Sequence, residues 1–479
     1  MTVKDLSHLL SVEAKTRKPS PLKTAFKYYG KPDIVFLGGG LPMSDYFPWE
    51  KVLAYSPEPP FADGIAAKPT EDKAVISELR KHQVEEFDVP LARSLQYGHT
   101  EGQPELLKFV KEHTALIHKI PNEEWDVVLS VGNTQAWDAT LRTFCDPGDS
   151  ILVEEYSFPS ALETASPFQV NYVPVPMDNG GIIPEKLDEL YENWDASKKK
   201  PKLLYTISTG QNPTGSSLSA ERREAIYKIA CKHDFLIVED EPYYFLQMND
   251  YKQGASEDPK HSYDEPKQTH EEFLAALVPS FSHLDTEGRV IRLDSFSKVL
   301  APGVRLGWIV AQKKLLERYV RLHEVSIQTP SGFTQSLVQG LLGRWGQSGY
   351  VDWLIALRKE YTIKRDFTID VLHKNMPKDV VQFFPPSAGM FFTVVLDAAK
   401  HPDFKTKFDS DPIKVETAIY EAGLEKGCLM IPGSWFQAPN FKPHDNTFFF
   451  RGTYAAVPLD KLKVGLERFG EAVKTVYGL

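Results

Sequence analysis

From residue 125 onward, short apolar runs alternate with segments of helical periodicity. Parallel strands covered by helices on both faces give this pattern. Each run has the length of a strand and lies near residues that favour turns. The runs are at 126–131, 151–153, 203–207, 235–238, 290–293 and 306–311. The pattern therefore predicts an α/β fold whose large domain holds a mainly parallel sheet between helices.

The remainder of the chain suggests a second, smaller domain. Residues 350–373 are predicted to form one long helix, because Leu354, Leu357 and Tyr361 recur three and four residues apart. Beyond about residue 380 the pattern returns to mixed strand and helix. The expected divisions are an N-terminal arm and part of the small domain at 1–100, a large domain at 101–348, and the connecting helix with the C-terminal small domain at 349–479. The polar segment 249–270 is predicted to be a surface insertion.

Composition argues against several classes of protein. A net charge of −10 without a long basic run argues against binding to nucleic acid or to an acidic membrane surface. No apolar stretch approaches the roughly 20 residues that a membrane span requires. The cysteines, Cys145, Cys231 and Cys428, lack the spacing of a metal site or a disulfide framework. We therefore expect a cytoplasmic protein without a bound metal.

A lysine follows closely on one of the predicted strands. Lys298 ends a Ser-Phe-Ser-Lys sequence that begins at Ser295, just after the apolar run 290–293. Open α/β sheets bind ligands at the carboxyl ends of their strands. A partly desolvated lysine there has a lowered pKa and can attack an aldehyde, although most lysines are solvated surface charges. Seven residues on, Arg305 offers a guanidinium fork that suits a phosphate, or that could pair with a surface carboxylate.

Three carboxylates follow the apolar run 235–238, at Glu239, Asp240 and Glu241. One carboxylate facing a pyridine nitrogen would keep that nitrogen protonated and let the ring accept carbanion electrons. This is the central demand of pyridoxal 5′-phosphate (PLP) chemistry. We assign the role to Asp240 and expect Glu239 and Glu241 to form a solvated acidic rim. The hydroxyl of Tyr243 could donate to the phenolic oxygen of such a ring.

Two turns at strand ends offer further polar groups. Asn212 lies in a Gln-Asn-Pro-Thr-Gly turn, from which its amide could also reach the phenolic oxygen. Asn133 and Thr134 join a strand to a helix, where free backbone N–H groups form an anion site. A simple strand-to-helix turn capped by either side chain is the alternative. Phe158 could stack on a pyridine ring or belong to the core.

One arginine closes an apolar run near the C-terminus. Arg451 follows residues 447–450, and an arginine at the end of a buried strand needs an anion. The α-carboxylate of a substrate would pair with it through two hydrogen bonds. The alternative is an internal ion pair with an acidic residue of the chain.

Taken together, these residues resemble the fold-type I PLP-dependent aminotransferases. Within them, the chain is most similar to the fungal aromatic amino acid aminotransferases and the kynurenine/2-aminoadipate aminotransferases. The segments that carry the resemblance are 18–22 (Lys-Pro-Ser-Pro-Leu), 37–42 (Leu-Gly-Gly-Gly-Leu-Pro), 95–98 (Leu-Gln-Tyr-Gly), 211–215 (Gln-Asn-Pro-Thr-Gly), 239–244 (Glu-Asp-Glu-Pro-Tyr-Tyr), 295–298 (Ser-Phe-Ser-Lys), Arg305 and Arg451. The resemblance implies a large PLP-binding domain with a seven-stranded, mainly parallel sheet, and a homodimer with shared active sites.

The resemblance also implies a role for each matching residue. Lys298 would be the Schiff-base lysine, and Asp240 would face the pyridine nitrogen. The other implied positions are Asn212 and Tyr243 at the phenolic oxygen, Asn133, Thr134, Ser295, Ser297 and Arg305 at the phosphate, Tyr97 at the phosphate from a second subunit, Arg451 at the substrate carboxylate, and Gly39 and Gly40 beside the substrate. Lys23 stands where related kynurenine-active enzymes have an arginine.

The implied activity is transfer of the amino group of phenylalanine, tyrosine or tryptophan to 2-oxoglutarate. Further donors are 2-aminoadipate, kynurenine, methionine and leucine. Because one pocket must accept an apolar ring and a carboxylate in turn, we expect a movable segment at about 18–40, with Lys23 as its cation.

Two other functions remain possible at this stage. A PLP-dependent lyase or decarboxylase would share the cofactor residues, and Arg451 with the segments of the aromatic subgroup favours transfer. A PLP-sensing transcription regulator would carry an added DNA-binding domain, but the first hundred residues show no basic helix-turn-helix pattern.

Overall fold

Helices and strands alternate along most of the chain. The computed structural model describes residues 3–25, 28, 31–62, 64–70, 73–259, 268–443 and 445–479. The α-helices are, in chain order, α1 (Val12–Thr16), α2 (Pro21–Ala25), α3 (Leu91–Ser94), α4 (Pro104–His118), α5 (Asn133–Phe144), α6 (Pro159–Ala165), α7 (Pro184–Glu192), α8 (Ala220–His233), α9 (His270–Ala275), α10 (Phe281–Leu284), α11 (Lys313–His323), α12 (Gly332–Asn375), α13 (Pro412–Glu425) and α14 (Leu459–Tyr477). The β-strands are β1 (Lys51–Pro57), β2 (Ala74–Arg80), β3 (Trp125–Ser130), β4 (Ser150–Glu154), β5 (Asn171–Val175), β6 (Met177–Asp178), β7 (Gly181–Ile182), β8 (Leu203–Thr206), β9 (Leu236–Asp240), β10 (Val290–Ser295), β11 (Gly307–Gln312), β12 (Val381–Gln382), β13 (Phe391–Asp397), β14 (Ile431–Pro432) and β15 (Thr447–Thr453).

Seven strands form the central sheet, in the order β3-β11-β10-β9-β8-β4-β5. Pairing is parallel from β10 through to β5, whereas β11 runs antiparallel to both of its neighbours. Every residue of β4, β9 and β10 is buried, because helices cover both faces of the sheet. The predicted fold class is confirmed, and all six apolar runs are strands of this sheet.

The seventh strand, β5, was not visible in the sequence pattern. It lies at one edge of the sheet beside β4 and is only partly buried. Its sequence contains Pro174, which has no backbone N–H to donate and is therefore tolerated in strands at an edge. The proline interrupts the apolar run, so the pattern alone gives no strand here.

One long helix connects two hydrophobic cores. α12 has 44 residues and is kinked at Gly346, whose φ of 63° is not helical. Before the kink, Val338 and Leu342 pack into the core of the large domain, whereas Ile369 and Leu372 near its end pack into the core of the small domain. The helix predicted at 350–373 is the second part of α12. Neither α12 nor any other helix in the described part of the chain has the length and apolar character of a membrane span.

The C-terminal part of the chain builds the second sheet. Its four strands lie in the order β12-β13-β15-β14, and all pairs are antiparallel. Side chains of α12, α13 and α14 pack with it in one core. Arg451 lies on β15, where it pairs with Thr393 of β13 and Ile431 of β14. The four-stranded sheet therefore presents Arg451, whereas Lys298 follows a strand of the seven-stranded sheet.

The N-terminal segment packs against the rest of the protein through buried side chains near its start and through a strand pair near its end. Leu6, Leu9 and Leu10 are buried in the core of the large domain. The hairpin of β1 and β2 lies against α12. Between these places, Val35 and Leu37 leave most of their surface exposed. The domain boundaries expected at residues 100 and 348 stay a prediction.

The predicted polar insertion at 249–270 is partly anchored to the small domain. The hydroxyl of Tyr251 donates to Asp370 of α12 at 2.7 Å. Ala255 is fully buried against the core of that domain. The first part of the segment is therefore more than a surface loop, while residues 260–267 lie outside the described residues.

Candidate active site

A cavity of about 240 Å³ opens at the carboxyl ends of β8, β9 and β10. This is the edge at which open α/β sheets bind ligands. The residues predicted from the sequence that line it are Asn133, Thr134, Phe158, Asn212, Asp240, Tyr243, Ser295, Ser297, Lys298 and Arg305. The fold thus brings together side chains that are up to 172 positions apart in the sequence, from 133 to 305.

Lys298 is partly buried in this cavity, three residues beyond the end of β10. Burial lowers the pKa of its ammonium group, and the nearby charge of Arg305 lowers it further. A lysine with a lowered pKa is more often an uncharged amine, which can act as a nucleophile or a base.

One end of the cavity is lined by groups that suit an anion. Arg305 donates to the hydroxyl of Ser297 at 3.2 Å and to the carbonyl of Val131 at 3.1 Å, and the hydroxyl of Ser295 donates to that of Ser297 at 2.7 Å. Gly132, with a φ of 85°, precedes α5, and a Cβ there would lie 2.5 Å from Arg305 Nη2. The glycine is needed for this close approach. A guanidinium, two hydroxyls and the start of a helix together form a site for a phosphate or similar anion.

Asp240 is buried in the wall of the cavity and accepts a hydrogen bond on each oxygen. The hydroxyl of Tyr205 donates to Oδ2 at 2.6 Å, and Nδ2 of Asn133 donates to Oδ1 at 2.7 Å. Burial raises the pKa of the Asp240 carboxyl, whereas these two hydrogen bonds act to lower it. The side chain of Asn133 is thus directed to Asp240, and its predicted contact with a phosphate stays a prediction.

Arg451 reaches the same site from β15. Its Nη1 donates to Oδ1 of Asn212 at 2.7 Å, and its guanidinium carbon lies 4.5 Å from the ring centre of Phe391 and 4.7 Å from that of Phe436. Nε of Arg451 is buried without a hydrogen-bond partner among the described residues. No carboxylate in the described part of the chain forms an ion pair with this arginine. A bound anion would provide the negatively charged partner that Arg451 lacks among the described residues.

Tyr243 and Asn212 also line the cavity. Both are almost fully buried. Burial raises the pKa of Tyr243 well above its usual range, so the hydroxyl keeps its proton and can act as a donor. The ring of Tyr243 packs edge-on against Phe391 at 5.8 Å.

The prediction that Glu239 and Glu241 form a solvated rim is wrong. Both are buried, because they point to the face of β9 opposite Asp240, where Arg223 and Arg292 lie. Arg292 pairs with Glu239 at 3.0 Å, and Arg223 lies 3.5 Å from Glu239 and 3.8 Å from Glu241. Burial, together with the charge of Glu239, raises the pKa of Glu241 to about 8. The two glutamates belong to an internal charge cluster.

Besides Arg451, which contacts Asn212 at the cavity, four predicted site residues do not line the cavity within the described part of the chain. Tyr97 is 57% exposed, and Gly39 and Gly40 are exposed as well. Lys23 is partly buried, and its ammonium group donates to the carbonyl of Gly98 at 3.2 Å. Lys23 and the Tyr97–Gly98 segment are therefore neighbours, which their positions in the sequence did not reveal.

Sequence reasoning missed three aromatic residues of the cavity, Trp137, Tyr205 and Phe391. Tyr205 lies inside an apolar run that predicted a buried strand, so its hydroxyl was the only signal of another role. Phe391 begins β13 and comes from the small domain. Trp137 packs on Tyr205 at 4.6 Å. All three depend on contacts between distant parts of the sequence.

Comparisons with known proteins agree on one family. The sequence model of the aminotransferase class I and II family matches residues 80–469. An aromatic amino acid aminotransferase of Schizosaccharomyces pombe is 41% identical over 98% of both chains. An L-tyrosine:2-oxoglutarate aminotransferase of Serpula lacrymans is 35% identical over 90% of this chain and 84% of its own length. The crystal structure of aminotransferase Aro8 from Candida albicans covers 100% of both chains with 61% identity and a TM-score of 0.94. The chain therefore belongs to the class I and II aminotransferases.

Proposed function

We propose that this protein uses PLP to move the amino group of aromatic amino acids to 2-oxoglutarate. The observation that carries the proposal is the single cavity that holds Lys298, Asp240 and Arg305. The relatives named as aromatic and tyrosine:2-oxoglutarate aminotransferases support the choice of substrates. Membership of an aminotransferase family favours transfer over the lyase and decarboxylase alternatives.

The residues of the cavity fit PLP, which has an anionic phosphate, a ring nitrogen and an aldehyde. Arg305, Ser295 and Ser297, with Thr134 at the start of α5, would hold the phosphate. Asp240 would face the ring nitrogen, and Lys298 would hold the cofactor covalently. The close approach of Arg305 to Gly132, which a Cβ would prevent, is the structural feature that supports the phosphate position. When bound, PLP supplies a sink for the electrons of the substrate's Cα carbanion.

The chain's own groups then orient the reaction and move the proton. Nζ of Lys298, whose pKa burial lowers, would take the proton from the substrate's Cα. The Tyr243 hydroxyl and the Asn212 amide would hold the phenolic oxygen of the cofactor. Phe158, at the wall of the cavity, would pack against the face of the ring. Lys298, Asp240 and Tyr243 are the proposed catalytic residues.

The substrate's α-carboxylate would bind Arg451, which has no acidic partner among the described residues. Phe391, Ile207 and Pro242 give the cavity apolar walls, which suit the ring of phenylalanine or tyrosine better than a charged side chain. Gly39 and Gly40 would border the substrate, and Lys23 would supply a cation for the second carboxylate of 2-oxoglutarate. Further donors would be tryptophan, 2-aminoadipate, kynurenine, methionine and leucine.

We infer that the active form is a homodimer. Val35, Leu37, Tyr46 and Tyr97 expose large apolar surfaces within one chain, and such surfaces mark interfaces between proteins. Tyr97 would contact the phosphate bound in the partner subunit. A cytoplasmic location stays a prediction from the sequence.

The test is a panel of amino donors assayed with 2-oxoglutarate. We expect kcat/KM for phenylalanine or tyrosine to be well above that for alanine or aspartate, because the cavity has apolar walls. The Lys298→Ala variant serves as the blank. If alanine or aspartate is the best donor, the proposed preference for aromatic donors is wrong. If no donor reacts, the proposed aminotransferase activity is wrong as well.

A further inference from the structure

Two cavity residues, Tyr205 and Asn133, share one partner. Tyr205 donates to Oδ2 of Asp240 at 2.6 Å, and Asn133 donates to Oδ1 at 2.7 Å. Each oxygen of a fully buried carboxylate therefore has its own donor. Hydrogen bonds to an ionised group are short and strong, and they favour the ionised form.

Both donors are fixed by contacts that do not involve Asp240. The Asn133 amide also donates to the carbonyl of Leu293 at 2.9 Å, which ties the first residue of α5 to β10. The ring of Tyr205 packs against Trp137 with 4.6 Å between ring centres. Two donors anchored in this way set the plane of the Asp240 carboxylate, because the carboxylate cannot rotate without breaking both bonds.

The surroundings of Asp240 make these donors necessary. Burial raises the pKa of Asp240, and the charge of the nearby Asp294 raises it further. Burial also holds the pKa of Tyr205 well above its usual range, so its hydroxyl remains a donor. Without the two hydrogen bonds, burial and the neighbouring negative charge would both favour a protonated, neutral Asp240.

We propose that Tyr205 and Asn133 are positioning residues that keep Asp240 ionised and correctly oriented, and so keep a proton on the ring nitrogen of PLP. The inference rests on the proposed function, because it requires PLP at this site. It also gives Asn133 a role at the nitrogen end of the cofactor. Loss of either donor raises the proton affinity of the carboxylate, and the shared proton moves from the ring nitrogen toward an oxygen of Asp240.

The test uses the protein loaded with PLP that carries ¹⁵N in its ring, observed by ¹⁵N NMR. In the wild type we expect the resonance of a protonated ring nitrogen. In Tyr205→Phe and Asn133→Ala it should shift toward the unprotonated position. The kcat should fall about tenfold or more, as expected for the loss of a hydrogen bond to a charged group, with a smaller change in KM.

A matched control is Tyr227→Phe. Tyr227 is also a buried tyrosine whose hydroxyl donates to a carboxylate, at 3.1 Å from Asp285, but it lies outside the cavity. This variant should leave the ring resonance unchanged even if it unfolds at a lower temperature. The Asn133→Ala variant keeps the test decisive if Tyr205→Phe does not fold.

The outcomes separate this inference from the proposed function. A ring nitrogen that stays protonated in a variant overturns the role of that residue, even if kcat falls. A wild-type protein that binds no PLP contradicts the proposed function itself. A shift in the two variants, with none in Tyr227→Phe, supports the positioning role.

Discussion

The two halves of the proposed site are built differently. The strand-end half, formed by Lys298, Asp240 and Arg305 with their neighbours, lies in a cavity lined by the sheet and hydrogen-bonded within one chain. The N-terminal half, which contains Lys23 and Tyr97, lies on a segment with exposed apolar side chains. One chain is therefore enough to assemble the groups proposed for the cofactor, apart from Tyr97. The groups proposed for the substrate side chain and for the partner's phosphate need further contacts.

Because the two halves are built differently, substitutions in them should have different effects. In the strand-end half, a change removes a group that is already in place, so it should affect the chemistry or the binding of the α-carboxylate strongly. In the N-terminal half, a change should affect assembly or selectivity and be smaller, because those groups are more exposed and better screened.

The largest effect is expected for Lys298→Ala. Loss of the proposed base should lower kcat by about 10²- to 10⁴-fold, while the variant still binds PLP through the phosphate contacts. Steady-state assays and PLP titration measure the two quantities. Lys186→Ala, which changes an exposed lysine of α7, is the control. If Lys298→Ala turns over normally without added amine, Lys298 is not the base of the reaction.

The next largest effect is expected for Arg451→Ala. It should raise KM for every amino acid by the equivalent of about 2–5 kcal/mol, because the carboxylate loses a partly buried charge partner. Arg451→Lys should recover only part of this, since an ammonium group cannot make the two-pronged contact.

The control for Arg451 is Arg468→Ala, which removes a more exposed arginine that donates to the carbonyl of Gly427. It should leave KM unchanged. If Arg451→Ala also leaves KM unchanged, the arginine has a structural role, and the anchoring point of the substrate must lie elsewhere.

The strand-end half could be predicted because sequence position determines where it lies. Residues that directly follow parallel strands meet at one edge of the sheet, so Asp240 and Lys298 could be placed together before the structure was known. The same argument failed for Glu239 and Glu241. Their arginine partners, Arg223 and Arg292, come from another helix and strand, and no local pattern shows that such charges are paired and buried.

Residues that depend on distant contacts were harder to predict. Tyr205 looked like an ordinary residue of a buried strand, and only the structure shows its hydroxyl at Asp240. Phe391 comes from the four-stranded sheet, and the sequence does not show how this sheet packs against the seven-stranded one. The N-terminal half was predicted from resemblance alone.

A smaller effect is expected for Tyr97→Phe. Removing a hydroxyl proposed to donate to the partner's phosphate should weaken PLP binding by about tenfold, within the range for a hydrogen bond to a charged group. Equilibrium titration of the apoenzyme measures this, and light scattering measures the dimer. Tyr46→Phe, at another exposed tyrosine of the N-terminal segment, is the control. An active monomer would contradict the shared site.

The smallest effect is expected for Lys23→Ala, and it should be selective. Lys23 is only partly buried, and its pKa is lowered mainly by that burial while Glu324 and Glu101 act to raise it. The electrostatic attraction between Lys23 and the second carboxylate of 2-oxoglutarate should therefore be moderate. We expect kcat/KM for 2-oxoglutarate to fall about two- to fivefold, the range for a partly screened charge pair, and kcat/KM for phenylalanine to change less.

The control for Lys23 is Lys51→Ala, which removes an exposed lysine paired with Glu78 and should affect neither substrate. Equal losses for 2-oxoglutarate and phenylalanine would mean that Lys23 acts through the backbone of Gly98, to which it donates, and not through the substrate's charge. In that case the N-terminal half would resemble the strand-end half, with its residues already positioned within one chain. A selective loss would instead mean that this half responds to the substrate, so that one site can accept a ring and a carboxylate in turn.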